Sequence, residues 1–188
     1  MSRLLYAALT SLDGYMADEE GNFDWAFPDA EEHQFVNDLQ REIGLHLYGR
    51  RMYEVLVAWE TMELEGEPDV IADFARIWRA ADKVVYSSSL RDVSSERTRI
   101  ERAFDSDEIW RLKAEGGPDM LIGGPTLAAR AFETGLVDEV HLFVAPVIVG
   151  GGLRALPADV RLDLELTGER RFGNGVVYMG YRSTQPKP

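Results

Sequence analysis

Cysteine is absent from this 188-residue chain. Its absence excludes disulfides, thiolate nucleophiles and cysteine-based zinc sites, and suits a reducing cytoplasm. Cations are scarce as well: 20 Lys and Arg face 33 Asp and Glu, for a net charge of −13. Such a surface repels nucleic acid, whose binding needs lysines and arginines against the phosphates. The N-terminus MSRLLYAALTSLDG lacks a basic segment followed by a long apolar one, and no apolar run reaches the length of a membrane span. We therefore expect neither export nor membrane insertion. The three histidines, His33, His46 and His141, are too scattered for a metal site. No nucleophile-elbow serine motif is present, which argues against hydrolysis. There is no internal repeat and no low-complexity tract.

What is present is a regular alternation of apolar strands and amphipathic helices, in a chain of one-domain size with 45% hydrophobic residues. Strands are expected at Leu4–Leu9, Leu45–Tyr48, Lys83–Tyr86, Met120–Ile122, Glu139–Val149, Leu162–Thr167 and Val176–Tyr181. The last two form an antiparallel pair around Gly173-Asn174-Gly175. Helices are expected at Asp29–Ile43, from Gly49-Arg50-Arg51 to about Trp59, over Val70–Ala81, over Asp107–Glu115 and from Pro125-Thr126 onward. Thr10–Phe27 reads as a long polar loop, of the kind that serves as a lid. This is an α/β fold, a mostly parallel central sheet with antiparallel C-terminal strands and flanking helices, in one domain over 1–184 with a tail at 185–188.

The most informative segment is Asp119–Gly152. A short buried strand runs through Gly123-Gly124 into a helix opening at Pro125-Thr126, where free amides and the helix dipole favour an anion. Two other strand ends are also suited to anions, Gly49-Arg50-Arg51-Met52 and Ser87-Ser88-Ser89. Each has a plainer reading, solvated charges for the arginine pair and a capped turn for the serines. In an open α/β sheet all three lie at the carboxyl edge, where one extended ligand with several phosphates can span them. Two arginines with a serine-rich turn suit a 2′-phosphate, whereas an NAD site normally carries an acidic residue for the ribose hydroxyl.

The order SLDGYMA, LYGRRMYE, KVVYSSS, IGGPTLAARAF, GLVDEVHLFVAPVIVGGG and GVVYMGYR resembles the dihydrofolate-reductase-like fold family. The match is to its branch with the C-terminal reductase domain of the bifunctional riboflavin-biosynthesis deaminase-reductase. The resemblance covers nearly the whole chain. It implies an NADPH-dependent reductase similar to 5-amino-6-(5-phosphoribosylamino)uracil reductase, with a small-molecule substrate and a homodimeric state. It also implies that Gly49, Arg50, Arg51 and Met52 face cofactor phosphates, with Met52 where relatives often carry Thr. Ser87, Ser88 and Ser89 would line the adenosine ribose and its 2′-phosphate. Gly123, Gly124, Pro125, Thr126, Leu127 and Ala128 would hold the pyrophosphate, with the Gly123–Gly124 bond a candidate cis peptide. Ala8 and Met16 would pack near the nicotinamide, and Trp25 and Phe27 would border the substrate. Folate-reducing members place a carboxylate after Trp-x-x-Pro at a position that is Ala30 here, flanked by Asp29 and Glu31. Asp13, in SLDG, and Asp29 are the candidate catalytic carboxylates. Asp13 can equally cap a turn, and Asp29 can cap the helix that follows it. The alternatives are a dihydrofolate or pterin reductase and an NADP(H)-binding module without catalysis.

Overall fold

Eight strands in the order β5-β4-β3-β6-β1-β7-β10-β9 form the central sheet of the computed structural model, which describes residues 1–185. The strands are β1 (Leu4–Thr10), β3 (Ile43–Gly49), β4 (Asp82–Tyr86), β5 (Thr98–Glu101), β6 (Asp119–Gly123), β7 (Glu139–Val144), β9 (Leu164–Arg171) and β10 (Val177–Ser183). From β5 to β7 every neighbouring pair is parallel, and β10 runs antiparallel to both β7 and β9. The expected α/β architecture is therefore the one observed. A second, two-stranded sheet pairs β2 (Tyr15–Ala17) with β8 (Leu153–Arg154). Of the tail assigned to 185–188, all but its first residue lies outside the described residues.

Alternation along the strands sorts the helices onto two faces. Tyr6, Ala8, Leu47, Val84 and Ile122 pack with Ile109 of α5 (Ser106–Glu115) and Ala128, Ala131 and Phe132 of α6 (Pro125–Glu133). On the opposite face, Tyr48 and Val85 pack with Tyr53 of α2 (Arg50–Leu56) and with Phe74 and Trp78 of α4 (Asp69–Ala80). There too Phe143 and Tyr178 meet Phe35 of α1 (Ala30–Gln40). The carboxyl ends of β4, β3 and β6 thus lie between α2 on one face and α6 on the other.

Several boundaries differ from the sequence expectation for identifiable reasons. The first helix ends at Gln40 rather than Ile43, because Ile43 opens β3 and packs against Leu5 and Leu121. The helix expected to reach Trp59 is two, α2 and α3 (Ala58–Thr61), joined through Val57. Strand β7 stops at Val144, not Val149; Pro146 has no amide to donate and Gly150 and Gly152 take positive φ. The lid-like segment Thr10–Phe27 carries β2 and a 3₁₀ turn at Asp24–Ala26. Ahead of the helix expected at Asp107–Glu115 the structure adds β5, a half-buried edge strand whose charged residues hid its character.

Candidate functional site

Register brings the three turns together. Gly49, the end of β3, is level with Tyr86 at the end of β4, and Tyr48 is level with Gly123 at the end of β6. Because β4, β3 and β6 are consecutive neighbours, the turns Gly49–Met52, Ser87–Ser89 and Gly123–Ala128 line one stretch of the carboxyl edge.

The two glycine-led turns leave bare backbone between them. Gly124 has φ +89°, a conformation that side chains resist, and Pro125 follows as the first residue of α6. The Ala128 amide returns to the Gly124 carbonyl at 3.0 Å, so the amides of Thr126 and Leu127 precede the helical ladder. A methyl added at Gly124 would meet Met52 Cβ at 3.6 Å, and one at Gly49 would meet Leu127 Cβ at 3.9 Å. One at Gly123 would press on the Tyr48 ring at 3.0 Å. The Gly123–Gly124 peptide is trans, correcting the cis expectation; the positive φ of Gly124 makes the turn instead.

Tyr48 is in turn hydrogen-bonded to the buried His46, and burial pushes that imidazole down to about 3, so it is neutral. The other two histidines are also paired locally, His33 with Asn37 and His141 with Tyr178.

Cations and hydroxyls flank these turns. Arg50 donates from Nη1 to Ser89 Oγ at 3.0 Å and from Nε to Glu54 at 2.7 Å, linking the first turn of α2 to the serine turn. Arg51 is exposed and makes no hydrogen bond or ion pair among the described residues. Ser87 is buried, its Oγ accepting from the amides of Ser89 and Leu90, while Ser88 and Ser89 face solvent. Ser87 therefore does the turn-capping work that the serines alone suggest, which leaves two hydroxyls available.

Ala8 of β1 is buried, and Met16 packs half-buried against the same core cluster, with the Tyr6 hydroxyl 3.6 Å from its Sδ. Trp25 packs onto the cluster of Phe143, Phe172 and Tyr178, and its Nε1 has no hydrogen-bond partner among the described residues. Phe27 is 72% exposed and lies 6.3 Å from Phe23, ring to ring.

The two candidate carboxylates hold backbone. Asp13 accepts from the amides of Val149 at 3.2 Å and Gly150 at 2.8 Å, tying the glycine-rich loop to the SLDG turn. The Ser11 hydroxyl, ahead of those amides, holds its carboxyl below the usual range, so Asp13 is an anion at neutral pH. Asp29 caps α1, accepting from Glu32 N at 2.9 Å. Sequence reasoning, which singled out Asp29, Ala30 and Glu31, missed Glu32. It is fully buried, Oε2 accepting from Asn174 at 2.8 Å and Oε1 unpartnered among the described residues. Burial, opposed by Asn174, pushes its carboxyl above the usual range.

A parallel sheet with an antiparallel C-terminal pair, with glycine-led turns opening α2 and α6, is the dihydrofolate-reductase-like fold. The chain belongs to the RibD C-terminal domain family, whose description matches residues 3–178. It is 28% identical over 183 residues to the uncharacterized protein YyaP of Bacillus subtilis, covering 95% of this chain and 94% of that one. Among solved structures, a pyrimidine reductase-like protein from Corynebacterium diphtheriae superposes with a TM-score of 0.72 at 16% identity, covering 98% of this chain and 93% of that one. A dihydrofolate reductase from Enterococcus faecalis, complexed with NADP(H), gives 0.64 at 13% identity, with 97% of both chains covered.

Proposed function

We propose that this protein is an NADPH-dependent reductase of the riboflavin-biosynthesis type, transferring a hydride to a small heterocyclic or pyrimidine-sugar substrate. The observation that carries the reading is the alignment of three anion-suited turns on adjacent strand ends, two of them joined by Arg50 and Ser89. The donor set fits the cofactor: amides at the start of α6 for the pyrophosphate, and a guanidinium with two exposed hydroxyls for the 2′-phosphate. In this reading Gly49 to Met52 and Gly123 to Ala128 hold the phosphates, and Ser88 and Ser89 the adenosine ribose. Ala8 and Met16 pack beside the nicotinamide. When bound, the cofactor supplies the hydride.

Trp25 and Phe27 then form the substrate wall. Asp13 serves as a positioning residue, keeping the loop at Val149 and Gly150 against the SLDG turn. Asp29 orders the first turn of α1. Reduction of dihydrofolate by a carboxylate at the start of α1 is disfavoured, since Ala30 stands there. We further read the chain as one folded unit over 1–184, acting as a cytoplasmic homodimer. No helix among the described residues is long and apolar enough to cross a membrane.

Titration with NADPH and NADH, followed by tryptophan fluorescence, tests the cofactor. Oxidation of NADPH across a panel of aminouracils and pterins then separates an enzyme from a binding module. Binding of neither nucleotide would refute the reading.

A further inference from the structure

Helices α2 and α6 begin alike. Gly49 is the N-cap of α2 and Gly124 the N-cap of α6. Strands β3 and β6 are neighbours with Tyr48 level with Gly123, so the two N-caps follow at one level of the carboxyl edge. From there α2 turns to the face of Tyr48 and Trp78, and α6 to the face of Ile122 and Phe132. Helices leaving adjacent strands for opposite faces part at such a point, and open α/β sheets take their ligands there.

The third residue of each helix reaches back to the start of the other. Met52 of α2 stands over Gly124, where an added methyl would meet its Cβ at 3.6 Å, and a methyl on Gly123 would meet its Cε at 3.4 Å. In return Leu127 of α6 stands over Gly49, its Cβ 3.9 Å from a methyl placed there. Side chains lean toward the N-terminus of their helix, which carries a third-position residue back to this level. Both are half-buried, and each also packs into the core of its own face. The Tyr48 ring supports the same turn from the side of α2, at 3.0 Å from a methyl on Gly123. Met52 therefore lays its apolar length along the Gly123-Gly124 turn. Its thioether has no N–H or O–H to donate, so a phosphate gains nothing from this side chain directly.

We propose that Met52 is a positioning residue, with Leu127 its counterpart: their crossed side chains set the separation of the two helix starts and keep the amides of Thr126 and Leu127 in place for the cofactor's pyrophosphate. The inference rests on the NADPH reading above and adds that the Met52 side chain acts through the turn rather than on the ligand. A residue that contributes packing alone predicts something else. Shortening it would lower Tm and leave the affinity of the folded protein unchanged.

The experiment compares the full chain with Met52→Thr, Met52→Leu and Leu127→Ala, reading dissociation constants for NADPH and NADH by tryptophan fluorescence and Tm by circular dichroism. Met52→Thr shortens the side chain and supplies a hydroxyl. It is expected to weaken both nucleotides about three- to tenfold with their ratio kept, the size usual for a residue that acts on a site through its neighbours. Leu127→Ala is expected to do the same from the other helix. Met52→Leu restores an apolar side chain of similar volume and should bind both nucleotides more tightly than Met52→Thr. NADPH bound by Met52→Thr as tightly as by the unaltered chain, or more tightly, would overturn the proposal while leaving the cofactor reading intact. So would Met52→Leu binding no better than Met52→Thr, or a lowered Tm with unchanged affinities. Should Leu127→Ala fold poorly, the contrast between the two Met52 variants decides alone. If the unaltered protein binds neither nucleotide, the cofactor reading falls and this inference with it.

Discussion

Lys113 Nζ lies 2.6 Å from Asp138 Oδ2, the lysine side chain fully buried and the aspartate 6% exposed. The same lysine donates to the Leu136 carbonyl at 2.6 Å, and the same carboxylate accepts from the Leu4 amide at 2.7 Å. One ion pair thus fastens the end of α5, the start of β1 and the segment leading into β7. Breaking it from one side leaves an aspartate buried without its countercharge. Lys113→Met is expected to lower stability by about 3–5 kcal/mol. Urea denaturation monitors this, and a loss below ~1 kcal/mol would show that water or a neighbour replaces the lysine.

Both members of that pair are unremarkable polar residues in the sequence, and their case marks the limit of what the sequence conveys. The parallel core was legible because Leu4–Leu9, Leu45–Tyr48 and Met120–Ile122 are apolar runs bounded by turn residues, and such runs need no partner to be recognised. Strand β5 was not, since Thr98-Arg99-Ile100-Glu101 takes its strand character from pairing with β4. The three turns of the site were visible for the same local reasons as the core. Glu32 owes its setting to a contact with Asn174, which no spacing rule supplies.

Glu32 predicts a pH dependence of stability. Burial raises its folded carboxyl above the ordinary value of 4.5. Its contribution is therefore fully present below the unfolded value and is lost as pH rises through the raised folded value. Above that window the buried carboxyl is destabilising. Glu32→Gln keeps an acceptor for Asn174 without the charge, and is expected to raise Tm at pH 7 by about 2–4 °C. The difference should vanish near pH 4. A gain of equal size at both pH values would assign it to packing instead.

Gly124 predicts a loss that does not distinguish nucleotides. At φ +89° an alanine is strained by about 1–2 kcal/mol, and its methyl points at Met52. Gly124→Ala should therefore destabilise the fold modestly and distort the first turn of α6. NADPH and NADH affinities are both expected to fall, with their ratio kept. A changed ratio would mean that this turn reads the 2′-phosphate as well.

The far end of the sheet predicts self-association. Leu164, Leu166 and Val177 are 41%, 51% and 39% exposed, on β9 and the neighbouring β10. β9 is an edge strand, and exposed apolar edges favour pairing with a second copy. Light scattering is expected to return twice the 21.2 kDa of one chain. Leu166→Glu should shift that mass to the single-chain value, and an unchanged dimer would move the interface elsewhere.

The substrate wall predicts a preference by charge. From Thr10 to Glu32, the stretch that overlies the carboxyl end of β1 and opens α1, there are eight carboxylates and neither lysine nor arginine. The nearby guanidiniums have partners: Arg170 pairs with Glu31 at 2.6 Å, and Arg154 sits over the Tyr15 ring at 5.4 Å. A sugar phosphate entering beside Trp25 and Phe27 would meet this field without a countercharge, whereas an uncharged aminouracil would meet mainly aromatic surface. Like-charge juxtaposition of this kind costs several kcal/mol when desolvated, so kcat/KM should favour 5-amino-6-ribosylaminouracil over its 5-phosphate by about tenfold or more. Raising the ionic strength should narrow the gap, because Asp13, Glu19, Glu20, Asp24 and Glu31 are exposed and therefore screened. A clear preference for the phosphorylated compound would instead require a cation to enter this wall, with Arg51 of α2 the first to substitute.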